Sequence, residues 1–205
     1  MATWSIGNVE ITKVMEMEKH WPFSALLPGA DEVVDDYEWL RPDFVTEEGR
    51  MKLSIHALVV ESEGLTIMVD TCCGNNKQRP GATPFDNLQT DFIGELGRCG
   101  FKPEDIDVVI STHLHVDHVG WNTRLENGKW VPTFPNASYL FGETEFRYWE
   151  ARYKEMSWMR DAFEDSVLPV MEAGRARLVE SDYEIEASLR LEPIPGHTPG
   201  QVALN

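Results

Sequence analysis

The chain has 205 residues and a formal net charge of −17, from 18 basic and 35 acidic side chains. Its length fits one domain with a substantial core, and 42% hydrophobic residues with seven Trp argue against disorder. The negative charge argues against nucleic acid and anionic membrane as partners, because phosphate groups are bound by clustered Lys and Arg. There is no apolar run of transmembrane length and no signal-peptide pattern at the N-terminus, so we expect a cytoplasmic protein.

Two strand pairs are predicted in the N-terminal third of the chain. The first runs from Trp4 to Met17, with Gly7-Asn8 as its turn. The second pairs Lys52–Glu61 with Leu65–Val69 across a turn at Gly64. Both pairs have the β-branched and apolar composition that is typical of strands.

The segment between these pairs, residues 18–50, is predicted to be irregular. Residues 31–48 contain eight acids and one base, with aromatic side chains among them. One interpretation is a solvated loop packed by its aromatic residues. The other is a lid over a pocket or a homodimer contact, since exposed loops often carry specificity. By the same argument, His20, Trp21 and Phe23 are candidates to line a substrate site.

Helical and strand periodicities alternate in the middle of the chain. Apolar residues at helical spacing predict a helix from Phe85 to Cys99, ended by Gly100. The apolar run from Ile106 to Ile110 predicts a buried strand. Asn127-Gly128 between two short β-prone runs predicts a hairpin.

The last third continues this alternation. Ala137–Phe141 is predicted to be a strand, and seven apolar residues spaced three or four apart between Phe146 and Val167 predict one or two core helices. Strands are predicted at Arg175–Val179 and Leu189–Ile194, and one more begins at Val202. Mixed helices and strands of this kind predict an α/β layered domain.

The three cysteines form neither a zinc knuckle nor a redox pair. Cys72, Cys73 and Cys99 contain no Cys-x-x-Cys spacing. An odd number of cysteines fits a reducing compartment. We interpret them as buried or half-buried structural thiols.

The densest group of chemically capable residues follows the strand that ends at Ile110. His113, His115, Asp117 and His118 lie within six residues. Residues two apart in extended backbone point to the same side, so His113 and His115 can converge on one ion. The adjacent Asp117 and His118 diverge, and a loop can direct them at a second ion. Imidazole and carboxylate suit zinc or a similar divalent ion, whereas the alternative is a polar loop with chance histidines.

This His-x-His-x-Asp-His pattern resembles the signature of the metallo-β-lactamase superfamily. Pro195-Gly196-His197-Thr198-Pro199-Gly200 resembles that family's next motif. A Gly-His-Thr-Pro-Gly turn alone fits an ordinary turn equally well, but its order and distance from the first motif favour His197 as a ligand. The resemblance extends from about Ser54 onward. It is strongest to the lactonase and esterase branch, which includes quorum-quenching lactonases and an organophosphate hydrolase.

The resemblance implies an αβ/βα sandwich fold. Residues 1–205 would form a single domain that holds the first half of the sandwich and the start of the second. In the resembled family a bridging Asp and a final His lie beyond the position of Asn205, so we expect that a C-terminal part is missing. The resemblance also implies that Asp70 supports the metal loop through hydrogen bonds, as carboxylates around metal sites do.

The function that the resemblance implies is metal-dependent hydrolysis. His113, His115 and His197 would hold the first zinc ion, and Asp117 and His118 the second. A metal-bound hydroxide would open a lactone or cleave an ester of a small-molecule substrate, with Asp117 as the catalytic residue that orients it and carries the proton. The alternatives on the same fold are an iron-dependent oxygenase or redox protein, a β-lactam or phosphotriester hydrolase, and a non-catalytic domain.

Overall fold

A seven-stranded mixed sheet organises the chain in the computed structural model, which describes residues 2–205. The strands of the described region are β1 (Ala2–Ile6), β2 (Val9–Trp21), β3 (Met51–Ser62), β4 (Leu65–Val69), β5 (Val108–Ser111), β6 (Thr123–Glu126), β7 (Lys129–Pro132), β8 (Ser138–Gly142), β9 (Ala176–Val179), β10 (Glu184–Glu186), β11 (Leu189–Pro193) and β12 (Val202–Leu204). The α-helices are α1 (Phe92–Arg98), α2 (Glu143–Arg152), α3 (Ser157–Ala162) and α4 (Leu168–Glu172).

The order of strands in the large sheet is β1-β2-β3-β4-β5-β8-β9. The pairs from β1 to β4 are antiparallel, and β4, β5, β8 and β9 run parallel. The smaller sheet has the order β10-β11-β12, and β6 and β7 form a separate hairpin. The carboxyl end of β5 therefore opens at the edge of a parallel region, which is where open α/β sheets place their sites.

Two hydrophobic cores lie on the two faces of the large sheet. Val59 and Val109 face the helices, together with buried side chains from α1, α2 and α3. Their chain neighbours Val60 and Ile110 face the opposite side and pack against Leu191 of the small sheet. This alternation follows from the period of two along a strand. The predicted α/β layered architecture is confirmed, with helices on one face and a second sheet on the other.

The predicted strand pairs of the N-terminal third are present. Gly7-Asn8 joins β1 to β2, and β3 pairs with β4. The segment predicted to be irregular over residues 18–50 is irregular only from Pro22, because β2 stays paired with β3 as far as Trp21. Long-range pairing with β3 thus extends β2 beyond the local strand pattern.

Short 3₁₀ turns fill the segment from Pro22 to Arg50. Phe23, Val34 and Val45 form a small buried cluster there, while Trp39 is 70% exposed. The lid and homodimer roles of this segment stay predictions.

The helix predicted from Phe85 to Cys99 begins only at Phe92, so the prediction is wrong for the first seven residues. A contact distant in sequence displaces the helix there. The Asn75 side chain accepts a hydrogen bond from Thr90 N–H (2.7 Å) and donates one to the Thr90 carbonyl (2.8 Å). Asn87 lies in the left-handed region at φ 49°, which a continuous helix cannot include.

The predicted helical stripe is divided into short helices. Between α2 and α4 lie a 3₁₀ turn, α3 and one π-helical turn, Phe163–Val167. Met159, Phe163 and Val167 are fully buried, as the spacing predicts. Met156 is 42% exposed because it lies in the extended link before α3.

Cys72 and Cys73 are buried and Cys99 is half-buried, all as free thiols, which agrees with the prediction. Burial raises the pKa of the Cys72 and Cys73 thiols, so both stay protonated and poorly nucleophilic. Within residues 2–205, no helix combines the length and apolar character needed to cross a bilayer.

A buried ionic cluster connects the loop after β4 to the π-helical turn. Lys77 and Arg79 are fully buried, and both contact Asp165. Arg79 donates two hydrogen bonds of 2.7 Å to the carboxylate, and Lys77 Nζ lies 3.3 Å from Oδ1. Lys77 also donates to Thr123 Oγ1 (2.8 Å) and lies 3.8 Å from the centre of the Trp130 ring. Two cations thus share one carboxylate in the interior.

Lys77 is expected to make stability depend on pH. Burial lowers its pKa to about 7, against the opposing attraction of Asp165. Between this value and the ordinary 10.5, the unfolded chain binds a proton that the folded chain does not. The lysine therefore contributes up to about 1.4 kcal/mol of added stability per pH unit as pH rises through this window.

The comparison with Lys77→Met isolates this contribution, because all other titrating groups are shared. Urea unfolding of the metal-free proteins should show that the wild type gains stability relative to Lys77→Met from pH about 7 to about 9. A difference that is constant with pH would contradict the assignment.

Candidate metal centre

The loop after β5 combines apolar anchors with candidate metal ligands. Leu114 and Val116 are buried and anchor the loop in two hydrophobic clusters. His113, His115 and Asp117 alternate with them along the sequence, but the backbone here consists of bends and a turn, with a hydrogen bond from His118 N–H to the His115 carbonyl (3.0 Å), rather than the extended chain that the sequence argument assumes. Apolar anchoring and this turn together fix the direction of the polar side chains.

Three imidazoles converge at the edge of the sheet where β5 ends. His113, His115 and His197 each offer a ligand atom, and these atoms all lie within 4.8 Å of one another. The ring centres are 4.7 Å apart for His113 and His115, 4.9 Å for His113 and His197, and 4.7 Å for His115 and His197. The structure therefore brings together the three residues that the sequence predicts for the first ion.

The environment of these rings fits a divalent cation. His113 Nε2 is buried and has no hydrogen-bond partner among residues 2–205. A buried nitrogen without a partner is costly unless an additional group binds it. Three nitrogen ligands with one side open is the donor set of a catalytic zinc site. His197 is exposed, so the site is open on its side of the edge.

Electrostatics keep two of the three rings neutral. Burial, reinforced by repulsion from the neighbouring imidazoles, lowers the pKa of His113 well below its usual range. Burial and His197 lower the pKa of His115 to about 4. Both rings thus carry no proton charge at neutral pH, and an unprotonated nitrogen is what a metal ligand requires.

Asp117 and His118 form a pair beside the three converging rings. The His118 ring centre lies 4.0 Å from that of His113, and His118 Nε2 is 3.6 Å from Asp117 Oδ2. Neither residue belongs to the group whose ligand atoms converge within residues 2–205. Burial lowers the pKa of His118, but Asp70 and Asp117 outweigh this and raise it to about 9. Without a metal, His118 is therefore an imidazolium held between two carboxylates.

Asp70 connects the end of β4 to the metal loop. It lies in the left-handed region at φ 58° and accepts hydrogen bonds from Thr112 N–H (2.8 Å), Thr112 Oγ1–H (2.9 Å) and His118 Nδ1–H (2.8 Å). The Thr112 hydroxyl also lies 3.2 Å from His113 Nδ1. A hydroxyl that donates to Asp70 can accept from His113 Nδ1–H, which leaves the Nε2 lone pair free for a cation. The supporting role of Asp70 stays a prediction, and these hydrogen bonds are the contacts through which it would act.

A second carboxylate, Glu16, was not predicted. It connects the loop after β4, which carries Cys73, to the end of the metal loop, at Gly120 and Trp121. A bulge in β2 turns Glu16 toward the Cys73 N–H (2.8 Å) and the Trp121 Nε1–H (2.7 Å). The backbones of the two loops pack directly together, since a Cβ on Gly120 would lie 1.9 Å from the Cys73 carbonyl carbon. Glu16 is a single acidic residue at a bulge, 57 residues before Cys73. No local sequence pattern therefore indicates that it contacts this loop.

Two tryptophans border the site, of which Trp149 belongs to the predicted core stripe and Trp158 does not. The rings of Trp149 and Trp158 lie 5.5 and 5.2 Å from the His115 ring. The spacing of Trp149 indicates only a helical core face, and no pattern singles out Trp158, so the sequence did not assign either residue to the site. They shield one side of the imidazole from water.

The residues proposed to line a substrate site are dispersed. The Trp21 ring lies 5.7 Å from the Phe85 ring at an interplanar angle of 49°, in a cluster that also contains Val116 of the metal loop. His20 is bonded to Glu18 at the surface, and Phe23 belongs to a separate cluster. Of the three, the structure brings only Trp21 near the metal loop.

Comparison with known proteins agrees with this geometry. The Metallo-beta-lactamase superfamily profile matches residues 50–204. An N-acyl homoserine lactonase of Bacillus cereus is 33% identical over 171 residues, which cover 78% of this chain and 61% of the relative. N-acyl homoserine lactonase AiiA of Bacillus thuringiensis subsp. kurstaki is 27% identical over 165 residues, or 75% of this chain and 58% of the relative. The chain thus spans about 60% of the length of these curated relatives.

Solved structures share the fold. A probable metal-dependent hydrolase from Staphylococcus aureus superposes with a TM-score of 0.73 at 19% identity, over 98% of this chain and 69% of the other. AidC, a dizinc quorum-quenching lactonase in complex with a product, superposes with a TM-score of 0.71 at 19% identity, over 99% and 69%.

Proposed function

The chain belongs to the metallo-beta-lactamase superfamily, and on that premise we propose that it is a zinc-dependent hydrolase that opens lactones. The observation that carries the proposal is the convergence of His113, His115 and His197, whose ligand atoms lie within 4.8 Å of one another. One of these rings, that of His113, has a buried Nε2 with no hydrogen-bond partner among residues 2–205. The 33% identity with a Bacillus cereus lactonase supports the choice of substrate class.

The residues divide into two adjacent sets of ligands. His113, His115 and His197 would hold one zinc ion, and Asp117 with His118 would contribute to a second. The 4.0 Å separation of the His113 and His118 rings supports neighbouring ions. A bound zinc ion supplies a water molecule whose pKa falls from about 15.7 to about 7, and it polarises a carbonyl oxygen.

Asp117 is the residue that we propose handles the proton. Its carboxylate is partly exposed at the open edge and lies 3.6 Å from His118. It can accept a hydrogen bond from an attacking water, which fixes the direction of attack, and take up the proton of that water as the oxygen bonds to the carbonyl carbon. After the ring carbon–oxygen bond breaks, the same carboxylate can pass that proton to the leaving alkoxide, which keeps the charge balanced.

Neighbouring residues hold this arrangement in place. Asp70 accepts a hydrogen bond from His118 Nδ1–H and so fixes the orientation of that ring. The rings of Trp149 and Trp158 restrict water access beside His115. A restricted, low-dielectric wall strengthens the interactions of the polar groups at the edge. A small-molecule ester with an apolar substituent would match such a wall.

The proposal is tested by metal analysis and a lactone assay. The purified chain should contain zinc, at about one ion per chain or more. It should also open N-hexanoyl homoserine lactone with release of one proton per ester bond cleaved. Chelation should abolish the activity and Zn²⁺ should restore it. A zinc-loaded chain that opens no lactone, or a chain that contains redox-active iron, would contradict the proposal.

A further inference from the structure

Glu145 is a buried carboxylate with no cationic partner among residues 2–205. It lies in the first turn of α2, is 1% exposed, and takes part in none of the ion pairs of the described chain. Burying a carboxylate is costly unless hydrogen bonds satisfy it. Three N–H groups do so here, and their positions along the chain indicate what the residue does.

The two oxygens of Glu145 bind different parts of the metal centre. Oε1 accepts hydrogen bonds from Leu114 N–H (3.1 Å) and from Trp149 Nε1–H (2.8 Å). Oε2 accepts one from Gly200 N–H (3.1 Å). Leu114 lies between His113 and His115, so one oxygen holds the first ligand loop.

The other oxygen holds the second ligand loop. Gly200 ends the 195–200 loop that carries His197, and its backbone packs directly on α2. A Cβ at this position would lie 2.2 Å from Glu145 N and 2.5 Å from its Cα. Trp149, one turn along α2, places its ring beside His115. One carboxylate therefore connects the two chain segments whose histidines must converge.

We propose that Glu145 is a positioning residue that sets the separation between the His113–His115 loop and the His197 loop. The inference rests on the zinc site of the proposed function and is independent of the substrate. A carboxylate accepts on both oxygens, whereas an amide accepts on one and donates on the other. Gln at this position can accept a hydrogen bond from only one of the two loops. Its NH₂ group would face the backbone N–H of the other loop, and two donors cannot form a hydrogen bond.

The test is Glu145→Gln, with Zn²⁺ affinity measured by competition with a chromogenic chelator. We expect an affinity about 10–100-fold weaker, as for other residues that orient metal ligands. The visible spectrum of the Co²⁺-loaded variant should also change, because the three imidazoles no longer hold the same geometry. Both readouts are independent of turnover. If the chain binds Zn²⁺ but opens no lactone, the proposed hydrolase function is refuted, while the role of Glu145 can still be tested by Zn²⁺ affinity.

Glu143→Gln is the matched control. Glu143 lies on the same helix, is partly exposed, and interacts with Arg147 rather than with a loop. Its Zn²⁺ affinity and Co²⁺ spectrum should match the wild type. Wild-type affinity in Glu145→Gln, or an equal loss in both variants, overturns the proposal. If Glu145→Gln does not fold, Glu145→Asp replaces it. Asp keeps the charge but is one methylene shorter, and wild-type Zn²⁺ affinity in that variant overturns the proposal equally.

Discussion

Replacing His113 by alanine is expected to abolish zinc binding at the first position and to lower lactone hydrolysis by about 10³-fold or more, since unactivated water keeps a pKa near 15.7. The His113 ring is the centre of the cluster. It contacts His115, His118 and His197, at ring-centre distances of 4.7, 4.0 and 4.9 Å. Its loss leaves two of the three converging imidazoles and removes the neighbour of His118.

The same variant should leave the metal-free fold nearly intact. His113 Nε2 is a buried polar atom that has no partner within residues 2–205. Its removal relieves a desolvation cost and leaves a small cavity, and these effects oppose each other. We expect metal-free His113→Ala to unfold in urea within about 1 kcal/mol of the wild type. A large loss of activity with little loss of stability is the sign of a ligand rather than a structural residue.

His20→Ala is the control for this experiment. His20 is exposed, and within residues 2–205 its side chain is hydrogen-bonded only to Glu18 Oε1, at 2.7 Å. It should keep wild-type metal content and hydrolysis. Retention of zinc and activity by His113→Ala, or an equal loss in His20→Ala, would contradict the metal assignment.

The parts of the fold that the sequence predicts are those encoded by a short period. The alternation in β3 and β5 assigns each side chain to a face, and Asn127-Gly128 defines a hairpin because both residues adopt positive φ. The candidate ligands of the first loop are predictable because they lie within six residues directly after β5. Their directions are set by the bends and the turn of this loop together with the buried Leu114 and Val116, and not by a strand period.

The remaining features depend on contacts between distant residues. The start of α1 is displaced by Asn75, which binds Thr90 across 15 residues. Convergence of His197 with His113 depends on Glu145, whose carboxylate reads in sequence as an ordinary exposed acid of a helix. Trp149 borders His115 although its spacing indicates only a core face. Local pattern therefore identifies the candidate ligands, and tertiary contacts determine that His113, His115 and His197 meet.

Asp165→Asn is expected to destabilise the protein by about 3–5 kcal/mol, because it leaves Lys77 and Arg79 buried without a carboxylate. Both cations are fully buried, a rare state for these residue types that sequence patterns do not reveal. Lys77 can relieve the change by losing its proton, since its pKa is about 7. Arg79 cannot, because guanidinium stays charged in proteins. Most of the cost therefore arises at Arg79.

Equilibrium unfolding in urea measures this cost, with Asp161→Asn as the control. Asp161 lies one turn earlier and forms a partly exposed pair with Arg160 at 3.4 Å. Such pairs contribute about 0–1 kcal/mol, so the control should change stability by less than about 1 kcal/mol. A similarly small change in Asp165→Asn would show that the cluster does not support the fold.

The double variant Asp165→Asn with Arg79→Met removes the cation at which most of this cost arises. If surplus buried charge causes the loss, removing one cation should make the double variant more stable than Asp165→Asn alone. If the loss instead reflects the π-helical turn that carries Asp165, the two changes should add. The Asp165 carbonyl accepts hydrogen bonds from Thr123 and Lys77, so the turn directs both its carbonyl and its carboxylate into the cluster. A π turn of this kind is uncommon in helices and is retained where such a constraint requires it. We expect the unpaired buried charge to cause most of the loss, so the double variant should recover part of the stability that Asp165→Asn loses.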